Sequence, residues 1–88
     1  MVLSNMEREV LKVFVEAYIK TKDPNCIVKL TDVKYPKMNG PQKLEIHKAL
    51  RKKGAFHSEE GENDCGLRPT ERLTSAALNY FNFSRSLL

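Results

Sequence analysis

The chain has 88 residues, which suits one small domain over residues 1–88 and leaves no room for a catalytic domain joined to a second module. Its composition, 41% hydrophobic and 30% charged, is that of a globular domain with an ordinary core and a charged surface. No apolar run approaches the ~18 residues of a membrane span, and the first residues lack a signal pattern. We therefore expect a cytoplasmic protein that does not contact membranes.

The net charge of +4 is unevenly distributed along the chain. Residues 34–53 hold seven cations and one carboxylate, Glu45, whereas residues 54–67 hold four carboxylates and no lysine or arginine. The cations are Lys34, Lys37, Lys43, Lys48, Arg51, Lys52 and Lys53, and the carboxylates are Glu59, Glu60, Glu62 and Asp64. Local patches of this kind steer charged partners toward one part of a surface.

The first predicted element is a helix that begins at a capping box formed by Ser4 and Glu7 and continues to about residue 21. Two apolar stripes run along it at helical spacing. One contains Met6, Val10, Val13, Phe14, Ala17 and Tyr18, and the other contains Leu11, Val15 and Ile19. A monomer needs one such stripe, so the second is either buried in the chain's own core or meets a partner subunit.

A short strand, "CIVKL", is predicted next, followed by a helical turn with Thr31 as its N-cap that ends before Pro36. Another helix is predicted from Asn39 or Gly40 to about residue 53, with Pro41 in its first turn and Gly54 as the left-handed residue after it. Its expected inward residues are Leu44, Ile46, Ala49 and Leu50.

Two short strands, "GAFHS" and "CGLR", are predicted on either side of the polar stretch "EEGEND", which gives a hairpin. The last helix is expected to begin near Thr70 or Thr74 and to reach about residue 82, with Leu87 and Leu88 extending it or fraying. Its inward residues would be Leu73, Ala76, Ala77, Tyr80 and Phe81.

This order of elements, and above all the residues "ALRKKGAF" and "RLTSAAL", resembles the winged-helix DNA-binding superfamily, in particular small archaeal-type and MarR-like regulators. The resemblance covers most of the chain. It implies an α+β fold with a three-helix core, a small antiparallel β-hairpin wing and a C-terminal helix. It also implies a transcription regulator that contacts double-stranded DNA through the helix at residues 41–53 and acts as a homodimer through the first helix and the C-terminal segment.

Carried over by position, the resemblance places a set of side chains at the DNA, either in the major groove or on phosphates. Glu45 departs from this pattern, and pairing with Lys48 or Lys52 is its expected role. Arg68 would touch a phosphate at the base of the wing or serve as a surface cation. The predicted DNA-contact set is Lys34, Lys37, Gln42, Lys43, His47, Lys48, Arg51, Lys52 and Arg68.

The acidic wing at residues 58–64 is the larger departure, because carboxylates repel phosphates. The alternative function is therefore a winged-helix module whose acidic wing binds a basic protein partner. "EEGENDCG" lacks the ligand spacing of a calcium loop, and Cys26, His47, His57 and Cys65 lack the spacing of a zinc site. There is no phosphate-binding glycine loop and no mark of an activated thiol. We expect no cofactor, no metal and no catalytic activity.

Cys26 and Cys65 do not form a secreted-type disulfide framework, and reduced thiols are expected. In the resembled topology the strand after the first helix pairs with the second wing strand, which would bring the two cysteines close. A disulfide would then require Cα atoms within about 7 Å. Whether they pair stays open at the level of sequence.

Overall fold

A computed structural model describes residues 1–58 and 66–81 of the chain. These ranges contain three α-helices and two β-strands: α1 (Asn5–Thr21), β1 (Ile27–Lys29), α2 (Gly40–Lys52), β2 (Thr70–Arg72) and α3 (Ser75–Tyr80). A single 3-10 turn, Leu30–Asp32, follows β1. The architecture is a small α+β arrangement with a two-stranded antiparallel sheet, and the α+β class is confirmed.

The first helix begins as the sequence predicts. The backbone N–H of Glu7 donates to the Ser4 hydroxyl (3.2 Å), and the backbone N–H of Ser4 donates to the Glu7 carboxylate (2.8 Å). Each side chain thus satisfies a backbone group that the helix leaves without a partner. The helix ends at Lys22, whose φ of 52° places it in the left-handed region.

Both apolar stripes of α1 contribute to the chain's own core, although Met6 at the start of the first stripe is exposed. Leu11 and Val15 of the second stripe are as completely buried as Val10 and Phe14 of the first, and Ile19 packs against the core from its edge. The second stripe therefore needs no partner subunit to cover it. The predicted homodimer stays a prediction, and α1 gives it no support.

The sheet pairs β1 with β2 in antiparallel register, with Val28 opposite Glu71 and both side chains buried. The chain after α2 extends this sheet through a bridge between Phe56 and Leu73, and the His57 N–H donates to the Arg72 carbonyl (2.7 Å). The first predicted wing strand, "GAFHS", is therefore wrong as a strand: only Phe56 pairs, in an isolated bridge.

The second predicted wing strand, "CGLR", is wrong in position: residues 66–68 are not in a strand, and the strand forms at Thr70–Arg72. The sequence pattern does not indicate a strand at Thr70–Arg72 because the inward residue of this strand is the charged Glu71. Residues 59–65, which include the acidic tip and Cys65, lie outside the described residues.

Of the predictions for the chain before α2, the N-cap at Thr31 is wrong and the start of α2 is confirmed. Thr31 is not an N-cap, because the 3-10 turn begins one residue earlier, after Lys29, without a side-chain cap. α2 itself begins at Gly40 as predicted, with a capping box between Asn39 and Gln42. Beyond its end, Gly54 adopts a φ of 84°, which favours glycine because it has no Cβ.

The last helix begins after Thr74, whose hydroxyl accepts from the Ala77 N–H (3.1 Å); the earlier predicted start at Thr70 is wrong. Leu73 is buried as expected, but in the bridge to Phe56, and Ala76 is exposed. The predicted extension through Leu87 and Leu88 lies outside the described residues.

An ion pair between Lys53 Nζ and Glu7 Oε1 (2.6 Å) joins the end of α2 to the start of α1. Burial raises the pKa of Glu7, but hydrogen bonds from Lys53 and Ser4 and the charge of Lys53 outweigh it, and the net pKa lies below 4.5. A carboxyl group with a lowered pKa stabilises the fold above its unfolded pKa, and that contribution is lost as the pH falls through the folded value.

We therefore predict that Lys53→Met lowers the free energy of unfolding at neutral pH by about 0.5–1 kcal/mol. The difference from the parent should shrink as the pH falls through the lowered pKa of Glu7, where the carboxyl group of the folded protein becomes protonated. Urea unfolding at several pH values measures both effects, and Lys52→Met is the matched control because Lys52 is an exposed neighbour on the same helix. Equal losses in the two variants would contradict the assignment.

Candidate nucleic-acid interface

The two faces of α2 differ in chemistry. His47, Leu50 and Arg51 recur at helical spacing and are buried, so they define the inward face. Gln42, Glu45 and Lys52 are exposed. The predicted inward face was partly wrong: Leu50 is fully buried, but Leu44, Ile46 and Ala49 are only half-buried.

Two members of the predicted DNA-contact set are corrected by this orientation. His47 is 0% exposed and Arg51 is 3% exposed, so neither side chain reaches the surface from which a duplex would be contacted. Both are held inside by the carboxylate of Glu71. The polar atoms of both side chains make hydrogen bonds inside the domain.

These residues form a buried polar network that we call the Glu71 cluster: Tyr35, His47, Arg51 and Glu71. Arg51 donates to Glu71 through Nε (3.2 Å) and Nη2 (2.7 Å), and His47 Nδ1 donates to the same carboxylate at 2.6 Å. With Nδ1 protonated, a neutral imidazole presents Nε2 as the acceptor for the Tyr35 hydroxyl, 2.7 Å away. Among the described residues no buried side-chain polar atom lacks a hydrogen-bond partner.

Arg51 also extends the cluster toward the chain that follows the acidic segment. Its Nη1 donates to the carbonyl of Gly66 at 3.0 Å. One guanidinium therefore holds both β2, through Glu71, and the backbone that leads into β2. A planar group with several fixed donors is suited to such a double role, whereas a lysine would supply a single point charge.

Aromatic rings enclose the cluster on its core side. Phe14 meets Tyr35 edge-on (5.8 Å between ring centroids) and His47 edge-on (5.4 Å), and it lies against Phe56 (4.9 Å). Burial, reinforced by the negative charge of Glu71, raises the pKa of Tyr35 to about 12. Tyr35 is therefore a neutral hydrogen-bonding group at physiological pH, not an activated phenolate.

The remaining predicted contact residues lie at or near the surface. Lys34, Lys37, Gln42 and Lys52 are exposed, and Lys43, Lys48 and Arg68 are half-buried. The ammonium of Lys43 lies 4.6 Å from the centroid of the Tyr35 ring, a cation–π contact. The ion pairs in the described part of the chain do not involve Lys34, Lys37, Lys48 or Lys52.

Glu45 departs from its expected role. It is exposed, and within the described ranges it forms no ion pair with Lys48 or Lys52. Its carboxylate is therefore available on the outward face of α2, beside Gln42.

Tyr35 and Glu71 were missed by sequence reasoning, although each participates in the Glu71 cluster. One signal was present: His47 and Arg51 are four residues apart and so share one face of α2, which is also the face of Leu50. A histidine and an arginine on the apolar face of a helix indicate a buried carboxylate elsewhere in the chain. The position of that carboxylate depends on the strand pairing, which the sequence did not reveal.

The sequence analysis also considered the two cysteines, metal binding and membrane spans. Cys26 is buried with a free thiol, beside a cleft of about 250 Å³, and its possible partner Cys65 lies outside the described residues. In the described part of the chain no three His, Cys, Asp or Glu side chains are grouped to hold a metal ion. Within the same ranges no helix has the length and apolarity to cross a membrane.

Comparison with known proteins gave no match: no family model, no curated protein and no solved structure matches this chain.

Replacing one member of the Glu71–Arg51 pair leaves an uncompensated charge in the interior. We predict that Arg51→Met lowers the free energy of unfolding by about 3–5 kcal/mol. The double variant Arg51→Met/Glu71→Met should recover part of that loss, because the unpaired carboxylate is gone but His47 Nδ1 loses its acceptor. Urea denaturation followed by circular dichroism measures both. A double variant as unstable as the single one would show that the cost comes from packing and not from the unpaired carboxylate.

The raised pKa of Tyr35 predicts an alkaline effect on stability. The fold favours the neutral phenol, so this contribution is complete below pH 10 and is lost as the pH rises toward about 12. Tyr35→Phe should therefore show a smaller fall in urea midpoint between pH 10 and 12 than the parent. Tyr80→Phe is the control, and an unchanged pH dependence in Tyr35→Phe would contradict the assignment.

Proposed function

We propose that this chain is a winged-helix-like domain that binds double-stranded DNA through the outward face of α2 and the segment just before it, as small transcription regulators do. The order and pairing of the elements support this proposal. After α2 the chain passes through the bridge residue Phe56 and the acidic segment to β2, which pairs with β1, and α1 packs against both α2 and β1. Fold alone does not fix function, so the proposal depends on the charges.

The observation that carries the proposal is the concentration of positive charge in one stretch of the chain. Apart from the buried His47 and Arg51, α2 and the segment before it keep exposed Lys34, Lys37 and Lys52 and half-buried Lys43 and Lys48. Glu45 is the one carboxylate in that stretch of sequence. A concentration of lysines that do not serve internal ion pairs suits a polyanion, because each phosphate neutralised releases counterions.

The chemistry of α2 suggests a division of roles. Gln42 lies in the first turn, where a groove-bound helix reaches base edges; its amide oxygen accepts from Asn39 in the capping box, and its amide NH2 group can donate to adenine. Glu45 follows on the same outward side and can accept from the amino group of cytosine. The lysines around them would contact phosphates and fix the position of the helix.

Double-stranded DNA is preferred over single-stranded nucleic acid because the surface offers no aromatic platform near the lysines in the described ranges. Tyr35, the aromatic residue nearest to them in sequence, has its ring beneath the Lys43 ammonium and against the edge of Phe14. Single-strand binders stack bases on open aromatic faces.

The second function predicted from the sequence, protein contact through the acidic wing at residues 58–64, falls almost entirely on residues outside the described ranges. Ser58 is its one described member. The DNA proposal does not require a dimer, since one domain would contact one half-site.

The test is fluorescence anisotropy of a mixed-sequence duplex titrated with the protein at about 50 and 200 mM salt. We expect salt-sensitive binding by the parent. Lys37→Glu/Lys48→Glu should weaken binding by at least about tenfold and reduce the salt slope by about 2, because two phosphate contacts are lost.

The matched control is Lys12→Glu/Lys20→Glu, which changes the net charge equally but on exposed positions of α1. Equal weakening in the two double variants would show that binding follows total charge and not the α2 surface. No binding by the parent at the lower salt would contradict the proposed function.

A further inference from the structure

We propose that Tyr35 is a positioning residue: its ring holds the ammonium of Lys43 in place as a preorganised phosphate contact. This inference rests on the proposed function. It adds that Lys43 is already held in position in the protein without DNA. It follows from the cation–π contact, in which Lys43 Nζ lies 4.6 Å from the centre of the Tyr35 ring.

The ring is itself held from two sides. Its hydroxyl is hydrogen-bonded to His47 Nε2 (2.7 Å). His47 is hydrogen-bonded in turn, through Nδ1, to the buried carboxylate of Glu71 (2.6 Å). Its edge is set by Phe14 at 5.8 Å between centroids. Because these partners are buried, the ring cannot turn away without breaking contacts in the core.

This support matters because lysine side chains are mobile. A free lysine loses most of its rotamer entropy when it is immobilised on a phosphate, and that loss reduces affinity. For Lys43 part of this ordering has occurred in the unbound protein, since its ammonium lies over a fixed ring. Its ammonium still has donors directed away from the ring, because cation–π attraction uses one side of the group.

The place of Lys43 in the helix is suited to this role. It lies in the first turn of α2, directly after Gln42, whose side chain closes the capping box with Asn39. A phosphate bound by Lys43 would also meet the positive end of the α2 dipole. Lys34 and Lys37 flank Tyr35 in sequence and are exposed, so the positioned lysine lies among mobile ones.

A double-mutant cycle in duplex binding tests the inference, with Tyr35→Leu, Lys43→Met and the double variant measured by anisotropy at about 50 mM salt. We expect Lys43→Met to weaken binding about fivefold in the parent and less than about twofold in Tyr35→Leu, because an unpositioned lysine contributes less. Tyr35→Phe keeps the ring and should keep most of the effect of Lys43→Met. If Tyr35 acted only on stability, Lys43→Met would weaken DNA binding by the same factor in the parent and in Tyr35→Leu.

Nuclear magnetic resonance of the free protein gives a measurement that does not depend on DNA. Protons on Lys43 Cε should be shifted upfield by the ring in the parent and in Tyr35→Phe, whereas those of Lys52 should not. If Tyr35→Leu fails to fold, this measurement and the Lys43→Met effect in Tyr35→Phe decide the inference.

The outcomes separate the two proposals. A parent that binds DNA but shows equal effects of Lys43→Met with and without the Tyr35 ring overturns the positioning role and leaves the proposed function intact. Unshifted Lys43 protons overturn it as well. A parent that does not bind the duplex overturns both.

Discussion

The carboxylate of Glu71 is the constraint on which the rest of the structure depends. It is nearly inaccessible to solvent, and it accepts from Arg51 twice and from His47 once. A buried ion pair contributes little net stability compared with well-packed apolar residues, but it penalises every arrangement in which one partner is misplaced. In this domain, that penalty fixes the rotation of α2 relative to β2, and through Gly66 it also fixes the chain that enters β2.

That rotation determines which charges reach the surface. If α2 turned so that Arg51 faced solvent, Glu71 would be left buried and unpaired, and Leu50, one residue earlier, would move toward water. The observed orientation instead presents Gln42, Glu45 and Lys52 outward. An internal polar network thus selects the external chemistry of the helix, which is why the interior and the proposed DNA surface cannot be understood separately.

The elements that could be predicted from sequence are those that depend on near neighbours. The capping box at Ser4, the start of α2 near Asn39 or Gly40 and the glycine after α2 each depend on residues within a turn of one another, and all three are confirmed. β2 was misplaced and His47 and Arg51 were assigned to DNA for a single reason. That reason is Glu71, which is the inward residue of β2 and lies 24 residues from His47 and 20 residues from Arg51 along the chain. A charged residue in an inward strand position is indistinguishable from a surface one until its partners are known.

The hydrogen bonds of Thr74 affect how α3 unfolds locally. The Thr74 hydroxyl accepts from the Ala77 N–H and donates its one proton to the Gly54 carbonyl (2.6 Å), with the Ala55 carbonyl 3.1 Å away, and the Thr74 N–H donates to the Ala55 carbonyl. A helix of six residues is too short to persist alone, so α3 exists because the exit of α2 holds its first turn. Release of residues 54–55 would therefore remove the hydrogen bonds that hold the first turn of α3, which couples the opening of that segment to the loss of the helix.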